Sequence, residues 1–130
     1  GLKSLETYTR FSEQVRRIRR DLLEFLETAR IQGKCVAGYG APAKGNTLLN
    51  YCGIGPDLVQ YTVDRSEHKQ GKLLPGTHLP IYAPERIFDD KPDYVLILPW
   101  NLRDEISSLM GGIREWSGRF VVPIPRIEVF

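Results

Sequence analysis

The segment Gly38–Asn46 combines residue types that could bind an anion. It follows a short run of small apolar residues, which predicts a buried parallel strand. Its glycines Gly38 and Gly40 predict a tight turn with backbone angles that other residues avoid, and they leave room for a ligand to approach. Ala41, at the predicted N-cap of the following helix, has no side-chain oxygen for the free N–H groups of the first turn. With Lys44 in that turn, the segment predicts a site for a phosphate or a carboxylate.

The spacing of the glycines leaves a purely structural alternative open. Gly45 does not complete the G-x-G-x-x-G fingerprint of dinucleotide-binding proteins. Lys44 precedes this glycine, whereas the lysine of a Walker A loop follows its glycine. With Pro42 at the first helical position, the segment could therefore be an ordinary strand-to-helix turn. Ligands nevertheless favour the carboxyl ends of such strands, which supports the binding interpretation.

Asp64 is a second candidate because it ends a predicted strand. It lies about 20 residues beyond the glycine turn, where dinucleotide-binding folds carry the acid that binds a ribose hydroxyl. Two alternatives stay open for this carboxylate: it could cap a loop, or it could pair with the neighbouring Arg65.

The polar loop 65–81 carries the remaining candidates. His68, Lys69 and Lys72 could meet a phosphate, and Pro75-Gly76-Thr77 could form a rigid turn, although a mobile surface loop is also possible. His68 and His78 are the two histidines of the chain, and neither has a visible partner that would orient it as a general base. Since no Ser-His-Asp order, HExxH pattern or cluster of metal ligands occurs, we expect no catalytic residue and no metal ligand. The residues favour a binding module over a self-sufficient enzyme.

Composition narrows the class of protein. The 130 residues are enough for one domain with a core, and a net charge of +2 does not favour a nucleic-acid or membrane partner. No apolar run is long enough to span a bilayer. Cys35 and Cys52 lack metal-binding or redox spacing, so we expect two buried free thiols in the reducing cytoplasm.

Periodicity predicts the elements that position these residues. A helix from about Leu5 to Gln32 should bury one apolar stripe against a sheet or a neighbouring domain. The stripe consists of Tyr8, Phe11, Val15, Ile18, Leu22, Phe25 and Ala29. After Gly33, apolar runs predict strands at 35–39, 59–64, 79–81, 94–98 and 120–122, and helices at 42–51, 83–88 and 102–116.

This alternation predicts an α/β fold with a Rossmann-like, three-layer parallel sheet of about five strands. We expect a single domain, with a leading helix at 1–33 and an α/β core at 34–130. The topological switch point should lie between the first strand and the strand 94–98, so that Pro99-Trp100-Asn101 faces the glycine turn across a crevice. Asn101 and Asp104 resemble a capping box at the start of the last helix.

Five segments taken together resemble the C-terminal domain of sugar C-methyltransferases. These segments are 38–51, 63–65, 68–71, 75–77 and 98–101, and the lead-in at 5–8 extends the resemblance over nearly the whole chain. The resemblance implies an S-adenosylmethionine-dependent enzyme that methylates a carbon of a nucleotide-linked keto-deoxysugar. It also implies that S-adenosylmethionine and zinc bind to other domains of the full-length enzyme, and that this domain binds no cofactor itself. Its partners would be the nucleotide-sugar and the central methyltransferase domain, without which the isolated domain would be inactive.

The motifs and the resemblance together define the expected substrate-binding residues. These are Gly38, Tyr39, Gly40, Ala41, Lys44, Gly45, Asn46, Asp64, His68, Lys69, Pro75, Thr77, Pro99, Trp100 and Asn101. Two alternatives stay open: a dinucleotide- or coenzyme A-binding Rossmann-like module without catalysis of its own, and a structural domain that docks by its long helix.

Overall fold

The computed structural model describes residues 2–130, in which a long helix precedes a sheet of six strands. The helices are α1 Leu2–Ile31, α2 Ala43–Cys52, α3 Glu85–Asp90 and α4 Arg103–Leu109, with 3₁₀ turns at Trp100–Leu102 and Gly111–Trp116. The strands are β1 Val36–Tyr39, β2 Thr62–Val63, β3 Ile81–Tyr82, β4 Tyr94–Ile97, β5 Arg119–Val122 and β6 Glu128–Val129. Within the described residues, no helix is long and apolar enough to cross a membrane.

The sheet has the strand order β3-β2-β1-β4-β5-β6, in which β1 to β5 are parallel. This order is that of the Rossmann fold, and it confirms the predicted switch point between β1 and β4. The prediction of about five strands missed β6, which pairs antiparallel with β5. The sequence carries no local signal for β6, because its two residues pair only after the chain has reversed, with Val129 opposite Val121.

Helices cover both faces of the sheet, as a three-layer fold requires. Along β4, Leu96 contributes to a core with α1 and α2, whereas Val95 and Ile97 contribute to a core with α3 and α4. This alternation follows from the two-residue period of a strand. Both faces of β4 are therefore buried, which explains the continuous apolar run that predicts a central strand.

Helix α1 buries its stripe over only half its length. Ile18 and Leu22 are 8% and 0% exposed, and the stripe continues in buried contacts to the C-terminal end of the helix. Leu5, Tyr8 and Phe11 are 64%, 69% and 63% exposed. The predicted burial of the stripe is thus confirmed for the second half of α1, which packs on the sheet, whereas burial of the first half against a neighbouring domain stays a prediction.

Two local predictions are also wrong. The helix expected at 102–116 is interrupted after Leu109, and the 3₁₀ turn that follows brings Gly112 so close to Phe88 that an added Cβ would lie 2.8 Å from its Cε1 atom. The capping box does not form, because Leu102 is the N-cap of α4 and makes no side-chain cap, while the Asn101 side chain accepts a hydrogen bond from Lys44.

The two cysteines are free, but only one is buried. Cys52 packs in the core, and burial raises the pKa of its thiol to about 11. Cys35, which we expected to be buried as well, is exposed. It immediately precedes Val36, the first residue of β1.

Candidate functional site

The turns that follow β1 and β4 meet at the carboxyl edge of the sheet. The parallel register places Tyr39 beside Ile97, and the Leu98 N–H donates to the Tyr39 carbonyl at 3.0 Å. The chain beyond β4 therefore reaches the glycine turn directly, since a Cβ atom added to Gly40 would lie 2.6 Å from Pro99 Cδ. This confirms that the glycine turn and Pro99 lie at the same crevice.

The glycines of the turn are explained by packing within the protein. Gly40 has a φ of +95°, which few other residues adopt, as predicted. Gly38 has no such angle; a Cβ there would lie 2.9 Å from the hydroxyl of Thr62, and a Cβ on Gly45 would lie 2.9 Å from Leu98 Cβ. The space that we expected a ligand to use at Gly38 and Gly40 is therefore filled by Thr62 and Pro99.

Hydrogen bonds to β2 hold this turn in place. The buried Thr62 hydroxyl donates to the Gly40 carbonyl at 2.6 Å, and the Gly40 N–H donates to the Val63 carbonyl at 2.6 Å. Lys69 Nζ donates to the Ala41 carbonyl at 3.1 Å from the loop beyond β2. The turn is thus fixed before any ligand binds.

Asp64 connects two backbone segments. Its Oδ2 atom accepts the Ala41 N–H at 2.9 Å, and its Oδ1 atom accepts the Ser66 N–H at 2.8 Å. The carboxylate therefore caps the start of the loop, as one of the alternatives predicted. The other structural alternative, an ion pair between Asp64 and Arg65, is not found among the ion pairs of the described residues.

The start of α2 is uncapped, but one residue later than predicted. Pro42 is the N-cap and makes no side-chain hydrogen bond, so Ala43 opens the helix and Ala41 is not its N-cap. The N–H groups of the first turn lack acceptors within the helix. Lys44 in this turn lies 4.8 Å from the centre of the Trp100 ring and donates to the Asn101 side chain. These three side chains contact one another beside the start of α2, and none of them lines the two cavities described below.

A cavity of about 370 Å³ opens beside the turn, between the end of β2 and α4. Its lining combines cationic, acidic and apolar side chains. The lining residues are Tyr39, Gly40, Ala41, Pro42, Asp64, Arg65, Lys69, Pro99, Leu102, Glu105, Ile106 and Leu109. A second cavity, of about 480 Å³, adjoins the first, because the two share Tyr39, Arg65 and Leu109. Its other walls include the polar side chains of Glu67, Gln70 and Glu85.

Helix α4 and Arg65 also line the cavities, which no motif in the sequence predicts. Leu102 and Leu109 have the spacing of an apolar helix face, yet they are 41% and 55% exposed and form a wall of the first cavity. Glu105 lies on the same wall. An apolar helix face looks the same in the sequence whether it lines a core or an open cavity, so no local signal could have distinguished the two.

Tyr39 lies at the junction of the two cavities. Burial raises the pKa of its hydroxyl, and nearby Arg65 partly opposes this rise. The phenol therefore stays protonated at neutral pH. Such a group can donate a hydrogen bond to a ligand oxygen, but it does not act as a base.

Several expected residues lie outside the cavities. The Pro75 carbonyl accepts a hydrogen bond from Asn50 at 3.0 Å, and the buried Thr77 hydroxyl accepts the Leu79 N–H, so this part of the loop packs beside the later turns of α2. His68 is exposed on the same loop. Asn46 accepts from Asn50 on α2. Their roles in binding substrate stay predictions, as do those of Lys44, Trp100 and Asn101, which also line neither cavity.

Metal binding has no obvious site in the described part of the chain. Among residues 2–130, no group of three or more His, Cys, Asp or Glu side chains could hold a metal ion.

The chain is similar over nearly its whole length to known C-methyltransferase sequences. The sequence model of the C-methyltransferase C-terminal domain matches residues 1–125. C-methyltransferase NovU from Streptomyces niveus is 41% identical over 129 residues, which cover 99% of this chain and 31% of that protein. The chain thus spans about a third of the length of this curated relative. UDP-D-quinovosamine 4-dehydrogenase from Vibrio fischeri has a similar fold, with a TM-score of 0.51 and 21% identity over 72% of this chain and 79% of that chain.

Proposed function

Because the chain belongs to the C-methyltransferase C-terminal domain family, we propose that it binds the nucleotide-linked sugar substrate of an S-adenosylmethionine-dependent C-methyltransferase. The site is the crevice at the carboxyl edge of β1 and β4. One observation carries the proposal: an uncapped helix start, two cationic side chains and an apolar wall converge at the switch point of the sheet.

The charged side chains suit a diphosphate. Arg65 and Lys69 line the first cavity, and the N–H groups at the start of α2 carry the positive end of the helix dipole. Asp64 lies among them, but its two oxygens already accept backbone N–H groups, which stabilises its negative charge within the protein. Asp64 therefore does not prevent the crevice from holding an anion, and the second acid of the lining, Glu105, lies on the α4 wall.

The shape of the groove suits an elongated ligand. Arg65 lines both cavities and lies where a central diphosphate would cross from one to the other. The apolar side chains of Leu102 and Leu109 offer a surface for a planar base, and Glu105 offers an acceptor for its N–H groups. The polar side chains of the second cavity, such as Gln70, offer partners for sugar hydroxyls.

The methyl-transfer chemistry belongs, in this proposal, to the rest of the enzyme. Tyr39 has a raised pKa and serves as a hydrogen-bond donor, so it does not deprotonate the sugar. We expect S-adenosylmethionine, zinc and the catalytic base to be bound or supplied by the other domains, with the central methyltransferase domain as the partner of this one. The free thiols of both cysteines accord with the cytoplasmic location that we expect.

The alternative of a dinucleotide- or coenzyme A-binding module gains no support from the site. This alternative depended mainly on Asp64 as the acid that would bind a ribose hydroxyl. Both oxygens of this side chain accept hydrogen bonds from the backbone of the protein itself. The glycines that suggested a dinucleotide fingerprint accommodate Thr62 and Pro99.

The test is a titration of the ¹⁵N-labelled chain with thymidine diphosphate and its sugar derivatives, with NAD and coenzyme A as comparators. We expect amide shifts at Gly40, Ala43 and Arg65, and weaker binding in Arg65→Ala. Lys72→Ala is the matched control: the sequence made Lys72 a phosphate candidate too, but it is an exposed cation of the same loop that lines neither cavity. Equal weakening in both variants, or shifts only with NAD, would contradict the proposal.

A further inference from the structure

The apolar stripe of α1 continues well beyond the core of the domain. Leu5, Tyr8 and Phe11, here called the N-terminal stripe, are each more than 60% exposed, with individual values of 64%, 69% and 63%. Ile18 and Leu22 lie further along the same helix face and are 8% and 0% exposed. One continuous stripe is therefore covered by the sheet at its C-terminal half and uncovered at its N-terminal half.

Helix geometry makes the N-terminal stripe a single surface. Steps of three residues keep side chains on one face of a helix, so the three apolar groups are neighbours. From Leu5 to Phe11 they extend over about 9 Å, at about 1.5 Å per residue. Two of the three are aromatic, and large exposed aromatic groups that cluster on one face mark interaction sites more often than solvent-facing surface.

We propose that the N-terminal stripe docks on the part of a C-methyltransferase that precedes this domain in the same polypeptide. The chain belongs to a family of C-terminal domains of C-methyltransferases. Its match to the curated relative includes 99% of this chain but only 31% of that protein. Helix α1 opens the domain, so its first turns are the part of the domain nearest to the preceding chain. The inference rests on family membership and not on nucleotide-sugar binding.

The small size of the stripe favours a partner in the same polypeptide over a second copy of the chain. A stable interface between separate proteins buries about 1,600 Å² in total, whereas an aromatic side chain buries only about 150–250 Å². Separate molecules also lose translational and rotational freedom when they associate. Domains joined by a short linker meet at effective concentrations of about millimolar, so a small apolar contact is enough to hold them together.

The test compares amide hydrogen exchange in the isolated 130-residue chain and in a full-length C-methyltransferase that carries it as its C-terminal domain. We expect the amides of residues 5–14 to exchange at least about tenfold more slowly in the full-length protein, because docking suppresses local opening of α1. The double variant Tyr8→Ser/Phe11→Ser should abolish this difference. The double variant Glu6→Ser/Glu13→Ser, on the opposite face of α1, should preserve it.

Equal exchange in the isolated and full-length proteins would overturn the proposal. So would a dimer of the isolated chain that Tyr8→Ser/Phe11→Ser dissociates, because a second copy would then cover the stripe. Both variants change exposed side chains, so the core stays intact and either outcome is interpretable. Nucleotide binding measured on the same variants should stay unchanged, which separates a failure of this inference from a failure of the proposed function.

Discussion

Replacing Gly40 with alanine should destabilise the domain strongly. A residue with a side chain at φ +95° is strained by about 1–3 kcal/mol. The new Cβ would also lie 2.6 Å from Pro99 Cδ, and such overpacking against a rigid ring typically costs about 1–3 kcal/mol. The sum, about 2–6 kcal/mol, is a large part of the roughly 5–15 kcal/mol that stabilises a domain of this kind.

Substitutions at two further glycines measure separately the backbone strain and the close contact that combine at Gly40. Gly33 has a φ of +73° with nothing within 4 Å of an added Cβ, so Gly33→Ala carries only the conformational cost, about 1–2 kcal/mol. Gly45 has no positive φ, but its Cβ would lie 2.9 Å from Leu98 Cβ. Gly45→Ala therefore carries the packing cost, reduced by about 1 kcal/mol because alanine favours the helix.

Equilibrium unfolding in urea measures these differences. With a slope of about 2 kcal/mol per molar urea, Gly40→Ala should lower the midpoint by about 1–3 M, and clearly more than Gly33→Ala does. If Gly40→Ala and Gly33→Ala were equally stable, the close approach of Pro99 to Gly40 would add nothing to the cost of a side chain at position 40. If Gly40→Ala were as stable as the natural sequence but failed to bind thymidine diphosphate, the glycine would serve the approach of a ligand, and the reasoning from packing would be refuted.

The remaining predictions concern buried polar and ionisable groups. Thr62→Val removes the buried donor to the Gly40 carbonyl and should cost about 1–3 kcal/mol in urea unfolding, whereas Thr47→Val on the exposed face of α2 should change stability by no more than about 0.5 kcal/mol. In the native protein a thiol reagent should modify Cys35 rapidly and Cys52 only after unfolding; equal rates would contradict the difference in burial. Because the pKa of Cys52 is raised from 9.0 to about 11, the folded state holds this proton more tightly, so the free energy of unfolding should fall as the pH rises from 9 to 11. Cys52→Ala should reduce that fall, and an unchanged pH dependence would contradict the assignment.

The fold could be predicted from the sequence in large part because its signals are local. The three-to-four-residue spacing from Ile18 to Ala29 identified α1, and the apolar run 94–98 identified β4 as a central strand. The alternation of strands and helices then fixed the switch point, since parallel strands need crossovers of a consistent hand. Strand β6 was missed because no apolar run marks its segment, and it pairs with β5 only after the chain has reversed.

The site was predictable only in its location. The sequence identified the glycine turn, and the rule for α/β sheets placed it opposite Pro99. It did not show that Thr62 and Pro99 fill the space beside the glycines, nor that Leu102 and Leu109 form an open wall.

The sequence by itself therefore determined the elements, their order, the edge of the sheet that carries the crevice and the family resemblance, which the comparisons confirm. Only the tertiary structure decided how the glycine turn is used. Gly40 and Thr62, or Ala41 and Asp64, lie more than 20 positions apart, with separations of 22 and 23 residues. Periodicity and turn chemistry act over a few residues, whereas contacts between distant segments depend on how the whole sheet packs. For that reason a turn whose sequence suggests space for a ligand is filled by its own protein, and the cavity opens beside it.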